Sequence, residues 1–166
     1  MESEYDATVI MISSDGEKFE LSKRAAMRSQ LVKESISENS EDAIEFKVDK
    51  VKGTVLKKVV EYLVHYKDQE PKEIERPLPS QNFNECVDDW DYNFIDLDLD
   101  KIFEINLAAN YLDIRPLLEL SGAKIASLIK GKTTQEVRKI FNIENEFTPE
   151  EEQQIIEENK WCMENL

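Results

Sequence analysis

The chain has 166 residues, of which 40% are hydrophobic and 34% are charged, a balance typical of a soluble globular protein with room for one domain and an extension. Its 36 acidic residues outnumber 21 basic ones, which gives a formal net charge of −15. This excess of acid argues against nucleic acid and against an anionic membrane as direct partners, because both require clustered Lys and Arg, and it favours a basic or mixed protein surface.

Two short extended segments are predicted near the start. Ala7–Ile12 is apolar and rich in β-branched residues, and Lys18–Leu21 alternates behind a Ser-Ser-Asp-Gly turn, which is a hairpin pattern. Ile44–Val48 alternates in the same way and predicts a third strand. Between the hairpin and this strand, Ser22 and Ser29 are suited to begin short helices, because a serine hydroxyl accepts a hydrogen bond from the first helical turn.

The middle of the chain contains the clearest helical patterns. Gly53–Lys67 repeats apolar residues at helical spacing with charges between them. A polar, proline-containing connection over about residues 68–88 follows, and we expect it to be mobile. Ile102–Ile114 has apolar side chains on nearly every side, whereas a surface helix needs a polar back. We therefore expect this segment to be covered by the core on one side and by another part of the chain or a partner protein on the rest.

A second very apolar helix, Leu117–Ile129, is expected next, with Asp113 as a candidate cap and a stop at Lys130-Gly131. Capping boxes at Thr133 and Thr148 then predict two short helices. These patterns divide the chain into an α/β domain over residues 5–130 and a helical extension over residues 131–166. Isolated helices of this length are marginal in water, so the extension needs a surface to pack against.

No catalytic or metal-binding pattern stands out. The single histidine, His65, is interpreted as structural or solvated, because it has no nucleophile signature with Cys86 or Cys162. Three such residues without paired spacing fall short of a zinc site. The acidic run Asp96–Asp100 fails as a calcium loop, since Lys101 stands where glycine is needed. We therefore expect a non-catalytic protein with no cofactor and no bound metal.

The N-terminal residues lack the basic and apolar regions of a secretion signal. A reducing compartment with free thiols is therefore the expectation, with cytoplasm and nucleus both open.

Five segments carry a more specific pattern: SSDGEKFEL, LKKVVEYLVHYKD, LAANYLDIRPLLEL, IKGKTTQEVRKIFNIENEFTPEEE and ENKWC. Together they resemble the S-phase-kinase-associated adaptor (Skp) family of SCF (Skp–cullin–F-box) ubiquitin ligases, over nearly the whole chain. The resemblance implies an α+β fold of BTB/POZ type, a small sheet with surrounding helices, plus a C-terminal two-helix extension that binds the F-box. It also implies an adaptor that bridges the N-terminal region of a cullin scaffold to F-box substrate receptors.

The resemblance also implies which residues meet each partner. Asn110 and Tyr111 would face the cullin. The F-box would be held by the other side of the same helix, by the next helix and by the tail, at Phe103, Leu107, Leu118, Phe141, Ile143 and Trp161. Pro149 resembles a proline that is hydroxylated and then glycosylated in some protist members, although a proline that merely starts a helix is the favoured interpretation.

One alternative stays open at this point. A BTB-type structural or assembly protein, in a non-ligase complex or as a homodimer when no partner is bound, would show the same apolar helices. The connection at Pro77–Val87 departs from the acidic loop usual in the family. That departure leaves open whether the chain is a general adaptor or a divergent paralogue.

Overall fold

The computed structural model describes residues 7–36 and 44–160. Its sheet has three strands in the order β2-β1-β3, with β1 at Thr8–Ser13, β2 at Lys18–Ser22 and β3 at Ile44–Val48. The central strand β1 pairs antiparallel with β2 and parallel with β3. The predicted hairpin and third strand are confirmed, and so is the α+β class of the fold.

Helices surround this sheet and follow it. Within the described residues they are α1 (Lys23–Ala26), α2 (Gln30–Ser35), α3 (Gly53–His65), α4 (Asp89–Ile95), α5 (Leu99–Tyr111), α6 (Arg115–Ile129), α7 (Thr134–Ile140) and α8 (Pro149–Glu158). The predicted serine caps are confirmed: Ser22 Oγ accepts from the backbone N–H of Ala25 at 3.3 Å, and Ser29 Oγ accepts from that of Val32 at 3.2 Å. The sequence did not predict α4 as a separate helix.

The N-terminus of α3 is capped from a distance. Its own N-cap residue, Lys52, makes no side-chain hydrogen bond to the helix. Instead Asp15, in the turn between β1 and β2, accepts from the N–H of Gly53 at 2.8 Å. Two hydrogen bonds lower the pKa of the Asp15 carboxyl below its ordinary value. The larger effect comes from the Ser13 hydroxyl and the smaller from the Gly53 N–H. The hairpin turn is thereby fastened to the first turn of α3.

The junction between α5 and α6 differs from the prediction. Asp113 has a φ of 48°, its N–H donates to the Asn110 carbonyl at 3.2 Å, and the next N–H, of Ile114, donates to the Ala109 carbonyl at 2.9 Å. These two bonds around a left-handed residue are a Schellman motif, which ends a helix. The expectation that Asp113 caps the following helix was therefore wrong: Asp113 ends α5, and Ile114 is the N-cap of α6.

One hydrophobic core joins the sheet to helices α1 to α6. Fully buried residues come from β1, α3, α5 and α6, and include Met11, Leu56, Ile105 and Leu117. The inward face of α5 consists of Ile102, Ile105, Ala108 and Ala109. The positions i, i+3, i+6 and i+7 place these four side chains along one side of the helix. The opposite side of α5 therefore carries side chains that the core does not fully cover.

The connection between α3 and α4 contains a short 3-10 helix, Phe83–Glu85. Phe83, Cys86 and Val87 are buried in the core. Its mobility, expected from the sequence over residues 68–88, stays a prediction.

The chain divides at Lys130 into two compact units, of which the second contains α7 and α8. Both predicted capping boxes are confirmed there. Thr133 and Glu136 exchange hydrogen bonds at 3.3 and 2.8 Å, and Thr148 and Glu151 do so at 3.3 and 2.9 Å. A salt bridge of 2.8 Å from Arg138 of α7 to Glu152 of α8 joins the two helices.

Candidate protein-interaction site

The exposed side of α5 is the main candidate site. The side chain of Leu107 is 68% exposed and that of Phe103 is 39% exposed, while Asn110 is exposed and Tyr111 is half-buried. A helix turns by about 100° per residue, so positions 103, 107 and 110 fall within an arc of about 60°, which widens to about 100° when position 111 is included. We call Phe103, Leu107, Asn110 and Tyr111 the α5 stripe.

The α5 stripe corrects one expectation from the sequence. The cullin residues and the F-box residues of this helix were placed on opposite sides, but all four share one face. The other side is occupied by core residues such as Ile102 and Ile105, which are 1% and 2% exposed. The spacing of positions 103, 107, 110 and 111 in the sequence already predicted that their side chains share one face of a helix. The assignment of each residue to a partner stays a prediction.

A small cavity lies at the C-terminal end of the α5 stripe. It encloses about 350 Å³ and is lined by Leu107, Asn110 and Tyr111, together with residues of the loop that leads into α3. From that loop, the Lys50 ammonium lies 5.4 Å from the centroid of the Tyr111 ring, within range of a cation–π contact. Lys52 also lines this cavity. Glu104 lines the cavity as well, so two lysines against one glutamate make this end of the stripe more basic than the chain as a whole.

Leu118 lies at a different place. It is half-buried on α6, where it lines a cavity of about 810 Å³ between that helix and residues 74–78. Gly122, Ala123 and Ala126 line the same cavity, and because glycine has no side chain and alanine only a methyl group, this face of α6 is concave. A concave, mostly apolar surface is the usual form of a site that receives another group.

The second unit has apolar side chains of its own in contact with solvent. Ile143 is 55% exposed and Phe147 is 49% exposed, and both Ile155 and Ile156 of α8 are exposed. Phe141 is half-buried at the end of α7. Sequence reasoning assigned Phe141 and Ile143 to the F-box but omitted Phe147, although its place before the Thr148 capping box could have suggested it.

Two predicted residues of the tail stand apart. Pro149 is exposed at the first position of α8, which fits the interpretation that it starts the helix and also leaves it accessible. Trp161 lies outside the described residues.

His65 packs against an aromatic ring. Its ring stacks on that of Trp90, with 3.6 Å between centroids and 1° between planes. Behind it, the Tyr66 hydroxyl donates to the Asp91 carboxylate at 2.8 Å. Burial is the first cause that raises the pKa of both groups. Within residues 7–36 and 44–160, no cluster of three His, Cys, Asp or Glu is placed to hold a metal ion.

The molecule combines a small sheet with several helices that expose apolar faces. This combination is that of an α+β protein-interaction module. In the same described ranges, no helix is long and apolar enough to cross a membrane. Comparison with known proteins places the module more narrowly. Residues 7–68 match the Skp1 family tetramerisation domain, and residues 115–162 match the Skp1 family dimerisation domain.

Full-length relatives agree with these matches. An S-phase kinase-associated protein 1 homolog of Tetrahymena thermophila is 49% identical over 158 residues, which cover 94% of each chain. Subunits named sconC of the E3 ubiquitin ligase complex SCF are also similar. The one from Arthroderma benhamiae is 40% identical over 94% of this chain and 95% of its own, and the one from Aspergillus flavus is 42% identical over 93% and 96%. The chain belongs to the Skp1 family, which confirms the resemblance found in its sequence.

Proposed function

We propose that this protein is the adaptor subunit of an SCF-type E3 ubiquitin ligase, a non-catalytic bridge between a cullin scaffold and F-box substrate receptors. Membership of the Skp1 family and relatives named as SCF subunits support this proposal. The cytoplasm and nucleus are the proposed compartments.

The single observation that carries the proposal is the α5 stripe. An exposed leucine alone means little, since apolar atoms form much of any protein surface. Here Leu107, 68% exposed, continues into Phe103 on one side and into the cavity at Asn110 and Tyr111 on the other. A contiguous apolar surface of this kind marks an interaction site.

The two partners are proposed to meet on this one face. The cullin would contact Asn110 and Tyr111, near the basic Lys50 and Lys52. The F-box receptor would contact Phe103 and Leu107 of α5 and Leu118 of α6, and separately the tail residues Phe141, Ile143 and Trp161. Asn110 and Tyr111 adjoin Phe103 and Leu107 along α5. The receptor and the scaffold would therefore lie side by side on the adaptor rather than on opposite sides of it.

A double substitution, Asn110→Lys with Tyr111→Lys, tests the cullin side of the proposal. Two lysines in a protein interface leave charge buried and unpaired, so binding of a purified cullin N-terminal region should weaken by about 2–5 kcal/mol. Binding of a purified F-box domain should stay near that of the unaltered protein. Calorimetric titration of the full chain with each partner measures both effects.

The matched control adds the same charge elsewhere. Asn84→Lys with Asn93→Lys places two lysines at exposed polar positions, one in the 3-10 helix and one on α4. This variant should bind both partners as the unaltered protein does. Cullin affinity retained by the Asn110 and Tyr111 variant would remove the assignment of these two residues.

A further inference from the structure

The segment 74–78 crosses one face of α6, and we call it the 74–78 strap. Its end residues Ile74 and Leu78 are half-buried and pack against the hydrophobic core, while the three residues between them are exposed. Together with α6 it forms the walls of the 810 Å³ cavity that contains Leu118. The strap therefore lies over part of the surface that the proposed function assigns to the F-box receptor.

The strap covers this surface without filling it. Removal of apolar surface from water is favourable. Beneath the strap, Gly122, Ala123 and Ala126 leave a concave floor, and Ile129 on the same face is 41% exposed. A better-fitting apolar group would remove more of this floor from water than the strap does, and would therefore bind favourably.

The polar attachments of the strap are also of a kind that breaks easily. The Arg76 guanidinium meets the Glu119 carboxylate of α6 at 2.6 Å, but these side chains are 71% and 40% exposed. Solvent screens such a pair, so it contributes little to stability. The second attachment is a hydrogen bond from Lys130 Nζ to the backbone carbonyl of Leu78. Both bonds can be exchanged for bonds to water when the strap lifts.

We propose that the 74–78 strap is an intrachain cover, which competes with an F-box receptor for the α6 face around Leu118 and lifts when the receptor binds. This inference rests on the proposed function and adds to it a barrier within the adaptor itself. The affinity for a receptor is then divided by the fraction of molecules in which the strap is open. A receptor must bind the α6 face more strongly than the strap does. Receptors with low intrinsic affinity would therefore be excluded.

The test removes the two apolar side chains and the one charged side chain that hold the strap, and leaves α6 and the hydrogen bond from Lys130 to the Leu78 carbonyl unchanged. Ile74→Ser, Arg76→Ser and Leu78→Ser are combined in the full chain, which is titrated calorimetrically with a purified F-box domain. If the strap is closed in about nine tenths of the molecules, the triple variant binds about tenfold more tightly. An affinity that is unchanged, or lower, overturns the proposal, since the strap would then be neutral or part of the receptor site.

Two matched variants isolate the strap from general effects of charge. Arg76→Lys keeps the cation that faces Glu119 and should bind the F-box domain as the unaltered chain does. Glu75→Ser changes an exposed strap residue that lies outside both polar attachments and should also leave the affinity unchanged. A gain in either variant as large as that of the triple variant contradicts the proposed role of these attachments.

Hydrogen exchange on the unaltered protein gives a second readout that does not depend on the folding of a variant. Backbone amides of residues 74–78 should exchange faster when the F-box domain is bound, because the strap has lifted. Slower exchange on binding would overturn the cover. Failure of the unaltered chain and of every variant to bind the F-box domain would instead contradict the proposed function, so the two failures are distinct.

Discussion

Asp91 is an acidic residue whose buried position disfavours its ionised form. Its side chain belongs to α4, is 4% exposed and accepts the Tyr66 hydroxyl at 2.8 Å. Burial is the first cause that raises the pKa of Asp91 above the ordinary 3.8, and the nearby Asp88 adds to it, while the Tyr66 hydrogen bond and His65 oppose it. The protonated acid is therefore favoured in the folded protein relative to the unfolded chain.

We expect Asp91→Asn to become more stable relative to the unaltered protein as the pH rises. A raised pKa in the folded state gives stability that is complete below pH 3.8 and is lost as the pH rises through the folded pKa. Asparagine keeps an oxygen that can accept from Tyr66 but cannot ionise, so the variant avoids this loss. Urea unfolding of both proteins at a series of pH values measures the difference.

A matched variant separates charge from hydrogen bonding at this position. Asp91→Leu also avoids the buried charge but leaves the buried Tyr66 hydroxyl unpaired, which costs about 1–3 kcal/mol at every pH. A difference between Asp91→Asn and the unaltered protein that stays constant with pH would mean that Asp91 does not titrate differently on folding.

Among the elements, the short helix α2 is fastened to the end of α5. Ser29, fully buried, accepts from the N–H of Val32 and donates to the carbonyl of Leu112, the C-cap residue of α5. The next N–H, of Gln30, donates to the carbonyl of Asp113 at 3.2 Å. The N-terminus of one helix thus satisfies carbonyls at the C-terminus of another, next to Tyr111 of the α5 stripe.

Ser29→Ala should lower the free energy of unfolding by about 1–3 kcal/mol, because it removes an N-cap and leaves a buried carbonyl with one bond fewer. Ser35→Ala on the same helix is the control. Its hydroxyl bonds the Leu31 carbonyl at an exposed site, so the change should stay within about 0.5 kcal/mol. Chemical unfolding followed by circular dichroism compares the two, and equal effects would refute the role of Ser29 as a link between helices.

These elements also show where prediction from the sequence succeeded and where it stopped. Caps such as Thr133 and Thr148 were predictable because a cap depends on residues three positions apart. Asp113 was misassigned because the same side chain suits an N-cap and a left-handed C-terminal position, and only the register of α5 decides between them. The common face of Phe103, Leu107 and Asn110 was present in their spacing. The strap was not predictable, since Arg76 and Glu119 meet only through the tertiary fold.

At the scale of the whole molecule, large apolar side chains are exposed on several elements and not only on the α5 stripe. They occur on α5 at Leu107, on α6 at Ile129, and in the second unit at Ile143 and Ile156. The net charge of −15 opposes association of two copies through general repulsion, which salt screens. Apolar burial and charge repulsion therefore act in opposite directions on a homodimer, which we propose as the form of the protein when no receptor is bound.

We expect the purified protein to self-associate as its concentration rises, and to do so more strongly at high salt, where repulsion between copies is screened. An F-box domain should convert it to a one-to-one complex, because the same apolar surfaces are then occupied. Leu107→Glu should keep the free protein monomeric, since two copies cannot bury an unpaired carboxylate at a shared surface. Light scattering coupled to size exclusion, at two salt concentrations and with and without the F-box domain, measures all three effects.

A monomer at every concentration and salt would show that the exposed surfaces serve other partners alone. A dimer that Leu107→Glu leaves intact would place self-association away from the α5 stripe.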